Sequence, residues 1–240
     1  MLNGSVAYSH APTQIHASPL LPPAERRRTG VPVKIALTVA HEACVNAGRD
    51  PAEIAMVFTS SGGDGDNVHE ILQTLASAQR EVSPTRFHNA VHNAAAGYWS
   101  IATQSREPST SLCGHDASFA AGLLDAATQV VTHSRVTALV AYDHPYPEPF
   151  HSKRPLGDAF AVALILAPHS ASHSLGKLDI EFCAAPAAAS RMSDARLEAL
   201  RTNVPAARSL PLLAALTGNE PREIVVEYGA GALRVLVSAC

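Results

Sequence analysis

Residues 83–100, which read SPTRFHNAVHNAAAGYWS, are the most specific stretch of this sequence. The Ser83-Pro84 pair marks a break between elements, because the residue before a proline disfavours helical backbone. The small residues that begin at Ala94 predict a helix over residues 94–104. Polar residues, including His88 and His92, fill the interval between the proline and this helix. The stretch therefore predicts a polar loop that leads into a helix.

Strands and helices alternate on both sides of this stretch. Short apolar runs predict strands over residues 54–58, 110–113, 136–142, 159–167 and 177–182, and a closing hairpin over residues 224–228 and 232–237. Helical spacing predicts helices from Pro32 to Gly48, over residues 67–80 with Asp66 as the cap, over residues 118–132, and near residues 193–202 and 210–217. The alternation predicts one α/β domain in layers around a largely buried central sheet.

The composition excludes several classes of function. The 240 residues carry 18 Lys and Arg against 21 Asp and Glu, a net charge of −3 that gives no electrostatic footprint for nucleic acid. The longest apolar run, residues 159–167, is too short to insert in a membrane, and residues 1–21 lack the pattern of a secretory signal. Four widely spaced cysteines (Cys44, Cys113, Cys183 and Cys240) are typical of reduced, mostly buried thiols. We expect a cytoplasmic protein that binds neither nucleic acid nor a membrane.

Three stretches, in this order, resemble the N-terminal half of a β-ketoacyl synthase, which is a thiolase-fold condensing enzyme. They are FTSSGGD at residues 58–64, the stretch 83–100, and SFAAGLLDA at residues 118–126. The middle stretch is similar to the ketosynthase-like proteins of aryl polyene and related pigment clusters. The resemblance implies a thiolase-like layered fold in a single domain over residues 1–240. Residues 1–30 would be an irregular arm, residues 31–167 a complete N-terminal half, and residues 168–240 a truncated C-terminal part.

The resemblance also implies that the catalytic machinery is degenerate. A ketosynthase carries its nucleophilic cysteine at a strand-to-helix elbow, where the helix N-terminus lowers the thiol pKa. When residues 118–126 are laid on the helix after the elbow, the elbow itself falls on His115, Asp116 and Ala117. The histidine motifs of the C-terminal half are not matched by His169 or His173. No catalytic residue is therefore expected.

This combination resembles a chain-length factor, a silent subunit that forms a heterodimer with a full-length β-ketoacyl synthase and shapes the pocket for the growing acyl chain. The central sheet would continue across the dimer interface. A partner acyl carrier protein would bring the phosphopantetheine arm, so the chain itself needs no cofactor. The basic residues 26–28 are either a solvated patch or a contact for that acidic carrier protein. By resemblance, the interface or pocket residues are Phe87, Asn89, His92, Asn93, Trp99 and Phe119.

The residues leave several alternatives open. Cys113 is either a displaced nucleophile or, as we favour, a small buried residue in an apolar strand. His115 and Asp116 could form a hydrolase-like set with Ser118, but an N-cap role for Asp116 is favoured. His88 and His92 have metal-ligand spacing without a third ligand, so no metal is expected.

Two further features and two further functions also stay open. The run at residues 61–66 is more typical of a turn than of a phosphate or Ca²⁺ site. The apolar helix over residues 118–131 is either plain core or, in part, the lining of an acyl tunnel. The alternative functions are an active condensing enzyme or acyltransferase that uses Cys113, and a free-standing module that binds an acyl carrier protein or a lipid.

Overall fold

A four-stranded sheet forms the centre of the computed structural model, which describes residues 2, 5–16, 18–171 and 173–240. In chain order its strands are β1 (Ala55–Thr59), β2 (Ser109–Leu112), β3 (Thr137–Asp143) and β4 (Phe160–Leu166). They lie side by side in the order β2-β1-β3-β4. β1 is parallel to β2 and to β3, with Val57 opposite Thr110 and Leu139, whereas β4 is antiparallel to β3. The carboxyl ends of the three parallel strands therefore meet at one edge of the sheet.

Helices cover both faces of this sheet. The helices of the first half are α1 (Pro23–Arg28), α2 (Val31–Asn46), α3 (Gly65–Ala76), α4 (Pro84–Asn89), α5 (Ala94–Thr103) and α6 (Ser118–His133). On one face, Leu37 of α2 and Trp99 of α5 share a core with Phe58 of β1. On the other face, Phe119 of α6 packs in a second core with Val57 of β1. β1 is buried at every position, as its continuous apolar run predicts for a strand that is covered on both faces.

A second sheet lies on the far side of α6. It contains β5 (Lys177–Cys183), β6 (Arg222–Tyr228) and β7 (Gly231–Ser238), which pair in the order β5-β7-β6 and are antiparallel throughout. Its inner residues, such as Leu233 and Val235, join the core of α6, while Arg234 and Leu236 face outward. The helices α7 (Ala195–Asn203) and α8 (Leu210–Ala215) and the 3₁₀ turn Pro205–Ser209 precede its hairpin.

The structure confirms the α/β prediction and most element positions, with three corrections. The apolar strands divide between two sheets, rather than forming the single central sheet that we expected. The N-terminal arm is irregular only in part, because residues 23–28 form α1. The arm is also bonded to the domain, since the Tyr8 carbonyl accepts from Arg196 and the Thr13 hydroxyl donates to the Ala159 carbonyl. The predicted helix over residues 67–80 is α3, and its cap is Asp64 rather than Asp66, since the Asp64 carboxylate accepts the Asn67 N–H at 3.0 Å.

Candidate functional site

Three loops meet at the edge of the first sheet where the parallel strands end. Residues 60–64 follow β1, residues 113–117 follow β2, and residues 144–159 connect β3 to β4. Polar and ionisable side chains converge here from all three loops. This edge includes the predicted elbow, and it is the candidate functional site.

The elbow is a tight turn between β2 and α6. His115 has a φ of 53°, in the left-handed region that few non-glycine residues occupy. Residues His115–Ala117 form a single 3₁₀ turn that runs directly into α6. The His115 side chain is 69% exposed, so the residue at the apex of the elbow faces out of this chain.

Asp116 does not cap α6, which corrects the N-cap prediction. The N-cap residue of α6 is Ala117, and no side chain caps this helix end. The Asp116 carboxylate turns instead to two arginines that sequence reasoning missed. Its Oδ1 accepts from Nη2 of Arg154 at 2.7 Å, and its Oδ2 lies 3.4 Å from Nη2 of Arg208. Arg208 also bonds to Glu227, at 2.8 Å.

This pairing controls the protonation of Asp116 and the tautomer of His115. Partial burial alone would raise the pKa of Asp116, but the hydrogen bond and charge of Arg154, with the charge of Arg208, hold it below its ordinary value. Nη1 of Arg154 contacts Nε2 of His115 at 2.5 Å. Because a guanidinium only donates, Nε2 is the acceptor and the neutral imidazole carries its proton on Nδ1. The engaged Nε2 is therefore not free to act as a base.

The hydrolase-like set of Ser118, His115 and Asp116 does not form. The Ser118 hydroxyl donates to the backbone carbonyl of His115 at 2.7 Å and accepts the Gly114 N–H at 3.1 Å. Ser118 is also buried, and its hydroxyl is fully engaged by the backbone of the turn. Its role is to shape the elbow.

Cys113 is exposed, and the prediction that it is buried was wrong. It lies one residue beyond β2, an edge strand that is itself only half-buried, and its Sγ donates to the Ser61 carbonyl at 3.3 Å. Of the other cysteines, only Cys44 is buried, and burial, followed by the charge of Asp50, raises its pKa to about 11. The expectation of mostly buried thiols was therefore also wrong.

A buried carboxylate, Asp143, ties the neighbouring loops together. Its Oδ1 accepts from the Ser61 N–H at 2.8 Å and from the Ser61 hydroxyl at 2.6 Å, and its Oδ2 accepts the Ala206 N–H at 2.8 Å. The Ser61 hydroxyl lies 3.1 Å from the Tyr146 hydroxyl. Burial raises the pKa of Asp143 even though these donors oppose the shift. A polar residue at the end of an apolar strand is the signal that could have identified Asp143 from the sequence.

The predicted interface or pocket residues fall into two groups. Phe87 is 71% exposed, Asn93 is exposed, and His92 is half-buried with Nε2 at 2.8 Å from the Leu112 carbonyl. Asn89 is buried and bonds to Tyr98 and to the Arg28 carbonyl, while Trp99 and Phe119 lie inside the two cores. The exposed group is available to a partner, and the buried group supports the backbone beneath it.

His88 and His92 have the spacing of metal ligands, but their side chains do not meet at a shared site. His88 packs edge-on against Tyr98, whereas His92 turns to β2. Across the described residues no group of three His, Cys, Asp or Glu side chains could hold a metal ion. Within the same part of the chain, no helix has the length and apolar character required to cross a bilayer.

An uncovered apolar face lies beside the site. No residue of α3 is buried, and Val68, Leu72 and Leu75 are exposed at helical spacing. Phe87 and Val91, in and after α4, are exposed as well, and the Asn67 side chain joins α3 to α4 through the Arg86 carbonyl. We call these five residues the α3 face: Val68, Leu72, Leu75, Phe87 and Val91. A polar cleft of about 640 Å³ adjoins it and is lined by residues that include His69, Glu70 and Arg86.

The chain belongs to the β-ketoacyl synthase family. The family described as "Beta-ketoacyl synthase, N-terminal domain" matches residues 4–229, well beyond the end near residue 167 that the sequence motifs suggested. The predicted thiolase-like ketosynthase fold is confirmed. No curated protein matches this chain.

Three solved structures share this fold at low sequence identity. A ketosynthase (ApeO) in complex with its chain length factor (ApeC) from Xenorhabdus doucetiae matches at 23% identity and a TM-score of 0.66, covering 90% of this chain and 81% of that one. The ishigamide ketosynthase/chain length factor matches at 16% identity and a TM-score of 0.60, and the match covers 90% of this chain and 82% of that one. AntDE:AntF, a type II polyketide acyl-carrier protein in complex with its ketosynthase, matches at 11% identity and a TM-score of 0.68. The match covers 92% of this chain and 87% of that one.

Proposed function

We propose that this chain is a non-catalytic, chain-length-factor-like subunit of an active β-ketoacyl-ACP synthase, in which it bounds the acyl pocket during elongation of a polyene or fatty-acyl chain. The observation that carries the proposal is the α3 face. This helix has no buried residue, and its own chain leaves its apolar stripe exposed. A partner that covers the stripe removes the cost of exposing it.

The partner that we propose for this face is a full-length ketosynthase. Two of the solved structures with the same fold contain a ketosynthase together with a chain length factor, and this supports a partner of that class. The edge strand β2 offers a second point of attachment, since it pairs with β1 on one side only. A strand from the partner would continue the sheet there, and the exposed Phe87 and Asn93 would lie in the same interface.

The elbow supports a silent role for this subunit. His115, Asp116 and Ala117 occupy the turn, His115 and Asp116 are engaged by Arg154, and none of the three is an activated nucleophile. The acyl group would instead be carried by the ketosynthase and by the phosphopantetheine arm of an acyl carrier protein. The AntDE:AntF complex joins such a carrier protein to its ketosynthase, which supports this assignment.

The pairing is tested by substituting the α3 face. Leu72→Glu places a charge at the centre of the apolar stripe, so the chain should no longer co-purify with a co-expressed full-length ketosynthase. Leu236→Glu is the matched control, because Leu236 is also exposed but lies on the outer face of the second sheet. Co-purification that survives Leu72→Glu would contradict the assignment of the α3 face to the partner. A chain that is a stable monomer when expressed alone would instead favour a free-standing carrier-protein or lipid-binding module.

The silent role is tested by the mass of each chain after incubation with acyl-loaded carrier protein. We expect an acyl adduct on the ketosynthase and none on this chain. The second candidate function, an active condensing enzyme or acyltransferase, is favoured by the exposure of Cys113 at the site. An adduct on this chain that disappears in Cys113→Ala would establish that function and overturn the first.

A further inference from the structure

Two arginines from distant parts of the chain share one carboxylate at the elbow. Arg154 comes from the loop between β3 and β4, and Arg208 comes from the 3₁₀ turn Pro205–Ser209. Their side chains are only 18% and 16% exposed, whereas Asp116 is 47% exposed. The cations are therefore held by the fold, while the carboxylate between them has room to move into solvent.

The donors at this point outnumber the acceptors that the described residues supply. The Nε–H groups of Arg154 and Arg208 are buried without a hydrogen-bond partner, although the Tyr146 hydroxyl is close enough to help raise the pKa of Arg154. The N-terminal end of α6 has no side-chain cap. A guanidinium binds a carboxylate through two parallel hydrogen bonds, but Asp116 uses one oxygen for each arginine and so satisfies neither fork.

The charge balance of the cluster depends on Asp116. The groups that contact one another are the cations Arg154 and Arg208, the anions Asp116 and Glu227, and the imidazole of His115. With Asp116 removed, Glu227 is the one carboxylate among the described residues that still pairs directly with either arginine, and the buried Asp143 acts on Arg154 only through its charge. The elbow would then be more positive by one charge, close to the partial positive charge of a helix N-terminus.

We propose that Arg154 and Arg208 form a carboxylate-binding site at the elbow, and that the Asp116 side chain fills this site in the free chain. A small external carboxylate competes with Asp116 for the same donors, and it gains the paired hydrogen bonds that Asp116 cannot make. The proposal does not rest on the pairing with a ketosynthase, since every group of the site belongs to this chain.

Calorimetric titration with malonate tests the site, on the full chain purified in complex with its ketosynthase and with the ketosynthase alone as the blank. Asp116→Ala should bind malonate at least about tenfold more tightly than the wild type, because the competing carboxylate is gone and the cluster is more positive. Asp116→Asn carries the same test if Asp116→Ala does not fold. Adding Arg208→Gln to either variant should return the affinity to the wild-type level.

The matched control is Asp179→Ala. Asp179 is exposed on β5 and pairs with one cation, Lys177, at 3.1 Å, so its loss should leave malonate affinity unchanged. Equal affinity in the wild type and the Asp116 variants would overturn the proposal, as would binding that survives Arg208→Gln. Binding of phosphate but not of malonate would overturn the assignment to carboxylates.

Discussion

Two aspartates lie at the same edge of the first sheet, in opposite surroundings. Asp143 ends β3, is buried, and accepts backbone N–H groups from Ser61 and Ala206. Asp116 lies at the elbow after β2, is half-exposed, and binds only side chains. Burial raises the pKa of Asp143, whereas the arginines lower that of Asp116. One carboxylate therefore fixes the loops of the site, while the other occupies a position that it can leave.

The largest effect that this comparison predicts is on stability. Asp143→Ala leaves two buried backbone N–H groups without an acceptor, at about 1–3 kcal/mol each, so the free energy of unfolding should fall by about 2–6 kcal/mol. Asp116→Ala removes partly exposed ion pairs and should cost less than about 1 kcal/mol. Urea unfolding of both variants measures the difference, and equal losses would mean that the two aspartates do not have separate roles.

A somewhat smaller effect concerns the helix beneath the elbow. A Cβ at Gly122 of α6 would lie 2.7 Å from side-chain atoms of Leu139 and Thr59, both fixed in the sheet. Gly122→Ala should therefore cost about 1–3 kcal/mol through overpacking. Gly97→Ala on α5 is the control, because nothing lies within 4 Å of its Cβ position and alanine favours a helix by about 0.5–1 kcal/mol. If Gly122→Ala were as stable as Gly97→Ala, α6 would not be a close-packed base for the elbow.

The fold could be predicted from the sequence because its signals are local. The continuous apolar run of β1 and the helical spacing of α2 depend on each element's own residues and occur in the structure where they were expected. A turn from strand to helix was also expected around His115, and β2 ends and α6 begins on either side of that residue. The division of the strands into two sheets was missed, because pairing between distant strands leaves no mark in either strand's pattern.

The chemistry of the site was less predictable because its partners are distant in sequence. Asp116 directly precedes an alanine-rich helix, which locally favours an N-cap, and the competing partners Arg154 and Arg208 are 38 or more residues away. The exposure of Cys113 likewise depends on β2 being an edge strand, which its short sequence Ser109–Leu112 does not reveal. Asp116 does not cap the helix because two guanidiniums donate stronger, charge-assisted hydrogen bonds to its carboxylate.

The smallest predicted effect is on pH dependence, and it separates the two aspartates by sign. The pKa of Asp116 is lower in the folded chain than the value of about 3.9 in the unfolded one, so its stabilisation is present above about pH 4 and is lost as the pH falls through the folded pKa. Asp143 behaves oppositely: its pKa is raised, so the stability associated with it is present at low pH and is lost as the pH rises through its folded pKa.

Asp116→Asn should therefore be less stable than the wild type at pH 6, by less than about 1 kcal/mol, and this difference in the free energy of unfolding should close towards pH 2. Glu198→Gln is the positive control, because the Arg201 hydrogen bond lowers the pKa of Glu198 to about 2 and gives it the same sign. A gap for Asp116→Asn that widens as the pH falls would mean that its carboxylate is not held by the arginines, and the contrast with Asp143 would then rest on burial alone.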